Sequence, residues 1–128
     1  MCLLDKVLAW NSVSIACVAS SHRAPDNPLR AGARVDAVCG IEYASQAMAV
    51  HGGLVGDGKR PAAGYLASLR DVVMSVDRLD TLEGDLLVGA ELLMSQAGRV
   101  IYRFELSWEG EQVLSGVAAV VIDAGSPT

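Results

Sequence analysis

Two side chains able to move protons near neutral pH stand out by their placement. Glu42 is the only formally charged residue between Ala37 and Val55, inside an apolar, alanine-rich stretch. Burying a carboxylate in such surroundings is costly, so Glu42 is expected to be partnered or protonated. A protonated Glu is a proton donor, as a general acid must be. An exposed helical stripe, or a purely structural hydrogen bond, would account for the same residue without chemistry. His22 sits in a segment punctuated by Pro25 and Pro28, where a stiff backbone can hold an imidazole in one direction. Histidine near its ordinary pKa is the usual base at neutral pH; an unremarkable surface histidine is the alternative. Gln46 follows Glu42 by one helical turn, so its amide can reach the carboxylate and orient it. Cys39, one turn before, reads as a small hydrophobe, and His51 as a residue facing the negative end of the helix dipole.

Other chemistries lack their residues. The two histidines and three cysteines (Cys2, Cys17, Cys39) have no zinc-ligand spacing, so no metal is expected. There is no G-x-S-x-G, P-loop or dinucleotide fingerprint, and no cofactor is expected. A net charge of −5 and a pI near 4.8 have the wrong sign for holding nucleic-acid phosphates. An odd cysteine count without C-x-x-C suits a reducing compartment. Asp5 and Lys6 interrupt the apolar start, which is not a signal-peptide core. Glu42, Gln46, His51 and three glycines between Ala37 and Val55 argue against a lipid-embedded span. A soluble, cytoplasmic protein is expected.

The 128 residues suit one domain, 1–128. At this length roughly two-thirds of the unfolded chain's surface can be buried, enough for a core. Leu3 to Ala9 and the alternating Val13 to Ala19 read as strands around an Asn11-Ser12 turn. Residues 20–34 read as a stiff loop. Asp36 to His51 reads as a helix, opened by Asp36 and ended by Gly52-Gly53, with apolar residues on nearly every face and therefore wrapped by protein. After a glycine-rich loop the period changes to two: Tyr65 to Val76, Leu86 to Met94, Val100 to Trp108 and Val113 to Ile122. Ala97-Gly98 and Glu109-Gly110 make tight turns. The fold class is α+β, a curved antiparallel sheet around one long helix.

The pattern Ser21-His22-x-x-Pro25-x-x-Pro28, followed on a helix by Gly40-Ile41-Glu42-Tyr43-Ala44-Ser45-Gln46-Ala47, resembles the hotdog-fold 3-hydroxyacyl-acyl carrier protein dehydratases. Nearly the whole chain fits, including Met1 to Val7 as the opening strand. Pro28-Leu29-Arg30 and Tyr43 to Ala49 look most like the aryl polyene-type dehydratases. The spacing from His22 to Glu42 is longer than in the standard fatty-acid enzymes. Asp36-Ala37 stands where the family has Pro-Gly, and Met1 begins almost within the first strand, where members usually carry a short preceding segment.

The resemblance implies a hotdog fold and loss of water from a 3-hydroxyacyl thioester. His22 would take the C2 proton and Glu42 would hold or protonate the departing hydroxyl. The Ala37 backbone N–H, at the helix start, would face the thioester oxygen, and Gln46 would support Glu42. In the family His and Glu come from opposite protomers, which implies a homodimer, or a heterodimer with a related dehydratase. The implied partner is an acyl carrier protein bearing phosphopantetheine. Such a partner is acidic, so a basic rim is needed, with Arg23, Arg30, Arg34 and Lys59-Arg60 as candidates. A hotdog thioesterase, or a non-catalytic dehydratase-like subunit, are the alternatives.

Overall fold

The expected opening hairpin forms in the computed structural model, which describes residues 2–56 and 63–123. Strand β1 (Lys6–Trp10) pairs antiparallel with β2 (Ser14–Ala19). Asn11 makes the turn: its side-chain oxygen accepts the Val13 and Ser14 N–H groups, each at 2.9 Å, the short-range bonding for which Asn is favoured in turns. Four further strands follow the helix: β3 (Ala63–Met74), β4 (Leu86–Gln96), β5 (Arg99–Trp108) and β6 (Glu111–Asp123). Together they make one six-stranded antiparallel sheet in the order β1-β2-β4-β5-β6-β3. The tight turns are as expected, with Ala97-Gly98 and Glu109-Gly110 all at positive φ, which two-residue hairpin turns require.

Period-two alternation sends one face of each strand inward. Ile15 and Cys17, Leu86 and Val88, and Tyr102, Phe104 and Leu106 line the core. Helix α1 (Gly40–Val55) lies against that face and buries Gly40, Tyr43, Ala44, Ala47, Met48 and His51, the three-and-four spacing of a single helical stripe. The contact is close at Gly40, where a Cβ would stand 2.6 Å from Leu114 Cδ2 and 3.0 Å from Leu106 Cδ2.

The helix differs from expectation at both ends and on its outer flank. It begins with a 3₁₀ turn, Ala37–Cys39. Asp36 precedes that turn without capping it, because its carboxylate pairs with Arg34 instead. Gly52-Gly53 lie inside the helix, which runs on to Val55 and closes with Gly56 N–H on the Gly52 carbonyl. A helical Gly costs only about 1 kcal/mol against Ala, so it permits an end without imposing one. The chain's own sheet covers one side of α1. Glu42, Ala49, Val50 and Val55 are exposed along the rest, with Val38 of the leading turn 53% exposed. The edge strand β3 is likewise uncovered at Tyr65, Leu66, Val73 and Met74. No helix of the described residues is long and apolar enough to cross a membrane.

The fit of sheet to core is also close at Gly116 on β6. A Cβ there would lie 2.7 Å from Phe104 Cζ and 3.1 Å from Val72 Cγ2. Phe104 is fully buried and has no room to withdraw. Gly116→Ala is therefore expected to lower stability by about 1–3 kcal/mol, read as a lower denaturation midpoint at unchanged m-value.

Candidate active site

His22 occupies a 3₁₀ turn, Ser21–Arg23, between the end of β2 and Pro25. The turn is braced by Arg30, whose guanidinium donates to the carbonyls of Ala24 (3.2 Å), Ala33 (2.9 Å) and His22 (3.4 Å). The imidazole is 0% exposed. Its Nε2 lies 2.9 Å from the Leu82 carbonyl oxygen, which can only accept, so Nε2 carries the proton and Nδ1 is left with a lone pair. That Nδ1 is buried and has no hydrogen-bond partner among the described residues. Burial pushes the His22 pKa down; the Leu82 carbonyl, the Asp85 carboxylate and the Gly84 backbone work the other way, and Arg23 adds to the lowering. The arrangement holds a neutral imidazole with its basic nitrogen unspent.

Glu42 lies in the first turn of α1 and is exposed, so the expected burial of its carboxylate does not occur within one chain. The neighbouring helix positions are apolar, but Glu42 falls on the stripe that the sheet leaves open. Gln46 has a task that its spacing did not reveal: its Oε1 accepts the Leu3 backbone N–H at 2.7 Å. This holds the first residues across the helix, where Leu3 and Leu4 are buried. His22 and Glu42 share no hydrogen bond. Their neighbours do: Ser21 Oγ lies 2.8 Å from Tyr43 Oη.

The helix entrance is built by pairing with a distant segment. Leu79 N–H donates to the Val35 carbonyl at 2.8 Å, and Ala37 N–H donates to the Asp77 carbonyl at 2.9 Å. The Asp80 carboxylate accepts the Val35 N–H at 2.9 Å and two bonds from Arg78, at 3.0 and 2.6 Å. Arg78 holds the Asp80 carboxyl well below the usual carboxylate range. The Ala37 amide is thus already committed and buried, which corrects its assignment as the oxyanion donor. Nothing local announces this, because the pairing joins segments about forty residues apart.

Of the candidate basic rim, Arg30 is spent inside the His22 loop and Arg34 on Asp36 and the Asp77 carbonyl. Arg23 is exposed and, among the described residues, unpaired. Lys59 and Arg60 lie outside the described residues. His51 is fully buried rather than resting on the helix dipole. Its Nε2 bonds the Asn11 carbonyl at 2.9 Å and its Nδ1 meets Tyr102 Oη at 2.7 Å. Cys39 is half-buried, and burial raises its thiol pKa, leaving it an unreactive neighbour. A groove of about 480 Å³ on the sheet beside Trp10, Glu91 and Arg103 contains none of the candidate residues.

Solved structures with this architecture include both dehydratases and thioesterases. The dehydratase heterocomplex ApeI:P from Xenorhabdus doucetiae superposes with a TM-score of 0.83 at 20% identity, over 94% of this chain and 82% of that one. AziG from S. sahachiroi gives 0.67 at 11% identity, over 91% and 89%. A hypothetical thioesterase with coenzyme A from Streptococcus pneumoniae gives 0.69 at 8% identity, over 92% and 87%. At these identities the superpositions establish the hotdog fold alone. Comparison with curated proteins gives no match. The profile of the ApeP-like family, described as ApeP dehydratase, matches residues 1–124. With nearly its whole length matched, the chain belongs to the ApeP-like dehydratase family.

Proposed function

We propose that the protein removes water from 3-hydroxyacyl thioesters carried by acyl carrier protein, giving 2-enoyl thioesters in a fatty-acid-like or polyene pathway. The observation that carries this reading is His22, whose tautomer is fixed by Leu82 and whose Nδ1 keeps its lone pair without a hydrogen-bond partner among the described residues. Nδ1 takes the C2 proton; the C2 electron pair forms the new double bond as the C3–O bond breaks; Glu42 gives its proton to the leaving hydroxyl, which departs as water. Proton transfer from His22 back to Glu42 resets the pair. Negative charge developing on the thioester oxygen needs a donor aimed at it, and with the Ala37 N–H given to Asp77 that donor is another N–H of the helix entrance. General acid–base steps of this kind are worth roughly 10²–10⁴-fold each.

Since His22 and Glu42 are not joined within one chain, the site is completed across a dimer. The exposed apolar flank of α1 and the open edge β3 support such pairing. The partner is a second copy or a related dehydratase subunit, the arrangement named for the ApeI:P heterocomplex. Arg23, in the same turn as His22, supplies local positive charge for an acidic carrier protein.

The test is an assay of the purified chain, alone and with a related dehydratase subunit, on 3-hydroxyacyl carrier-protein thioesters of several lengths. Loss of one water from the intact thioester is expected. Release of free acid would favour a thioesterase, and activity confined to mixtures in which this chain's His22→Ala variant works equally well would favour a non-catalytic subunit. The base must be neutral, and burial sets its pKa below the ordinary 6.5. The acid limb of kcat/KM is therefore expected below pH 6.5. Folding stability should fall over the same range, because the unfolded chain binds a proton at this residue that the folded chain resists. An acid limb above pH 7 would rule out His22 as the base.

A further inference from the structure

Between the turn that bears His22 and the helix that bears Glu42 runs a partly buried chain of hydrogen bonds whose direction is fixed by its ends. Ser21 donates its single hydroxyl proton to the Leu3 carbonyl at 2.7 Å. Tyr43, fully buried, lies 2.8 Å from the same Ser21 oxygen and must therefore donate to it. The Tyr43 oxygen in turn accepts one N–H of Asn27 at 3.1 Å, while the other goes to the Ser21 carbonyl at 2.7 Å. Asn27 Oδ1 takes the Leu29 N–H at 2.7 Å. Leu3, at the far end, is held at its own N–H by Gln46. The chain starts at a side-chain amide and ends at a peptide carbonyl, neither of which passes protons on, so it is a brace and not a relay. Burial also raises the Tyr43 pKa, which keeps its proton in place.

We infer that Tyr43 is a positioning residue that acts through Ser21 and Asn27 to fix the His22 imidazole relative to the helix carrying Glu42. The hydrogen bonds carry the positional statement; its catalytic consequence rests on the dehydratase reading. Ser21 adjoins His22, and Tyr43 stands on the helix whose open flank faces the second subunit in the proposed dimer, so slack in the brace moves the imidazole against the surface on which that subunit docks. The molecule supplies its own control. Tyr102 is also buried and also donates within a histidine cluster, but its partner is His51 at the other end of the helix.

The experiment compares Tyr43→Phe, Ser21→Ala and Tyr102→Phe in the full chain by two readouts. The first is hydrogen exchange of the His22 Nε2–H by NMR. Exchange is expected to be about tenfold faster in Tyr43→Phe and Ser21→Ala, and unchanged in Tyr102→Phe. The second is steady-state dehydration. Tyr43→Phe and Ser21→Ala should each lose roughly 10- to 100-fold in kcat, with KM altered by less than about twofold, since misplacement by about an ångström has costs of that order. Tyr102→Phe should lose thermal stability and keep its kcat. Unchanged His22 exchange, or equal exchange in all three variants, would overturn the inference, as would an undiminished kcat in an active enzyme. Absence of dehydration in the unmodified protein would count against the functional reading instead, and the exchange readout would still decide the brace. Should Tyr43→Phe fail to fold, Ser21→Ala carries both readouts.

Discussion

Glu42→Gln is expected to lower dehydration by roughly 10²–10⁴-fold while leaving the fold unchanged. Gln is nearly isosteric with Glu and keeps hydrogen-bonding capacity, but it has no acidic proton to give to a departing hydroxyl. Because Glu42 is exposed in the isolated chain, the substitution should alter stability by no more than about 0.5 kcal/mol, as is usual at open surface positions. A large loss of turnover beside an unmoved melting temperature is thus the expected signature. Turnover matching that of the unmodified protein would show that Glu42 supplies no proton, and the acid would have to be sought elsewhere.

Mixing two inactive proteins should restore activity. His22→Ala and Glu42→Ala homodimers are each expected to be inactive, since every site then lacks one of the pair. After subunit exchange, a mixed dimer holds one site with both residues and one with neither. Roughly half the dimers are mixed and each has one intact site, so activity should return to about a quarter of the original. The physical basis lies in the single chain, where His22 and Glu42 share no hydrogen bond and Glu42 is exposed on the flank of α1 that the sheet leaves open. In the proposed dimer the second subunit brings its Glu42 carboxylate to the first subunit's imidazole. No recovery, once exchange has been verified by mass, would mean that the two groups act within one chain or not as a pair. The hotdog fold would survive that result; the shared site would not.

The class of fold and the strand pairs joined by short turns were legible in the sequence. These are local matters: a period of two over Val100 to Trp108, positive-φ turns at Ala97-Gly98 and Glu109-Gly110, and a helix in place of strands where alanines accumulate. The family was equally legible, from His22 in its proline-bounded loop and Glu42 and Gln46 one turn apart. Tertiary structure alone decided what each polar group does. Gln46 serves Leu3, which lies about forty residues away in the chain, and Ala37 gives its N–H to Asp77. His51 is spent on Tyr102 and Asn11 rather than on the helix end. Spacing tells which residues share a face, but not which face the sheet covers or which distant carbonyl claims a donor. Hence a carboxylate expected in the core stands at the open flank of the helix. His22, for which an exposed loop position was the alternative, is fully buried, with a carbonyl sixty residues on, that of Leu82, against its Nε2.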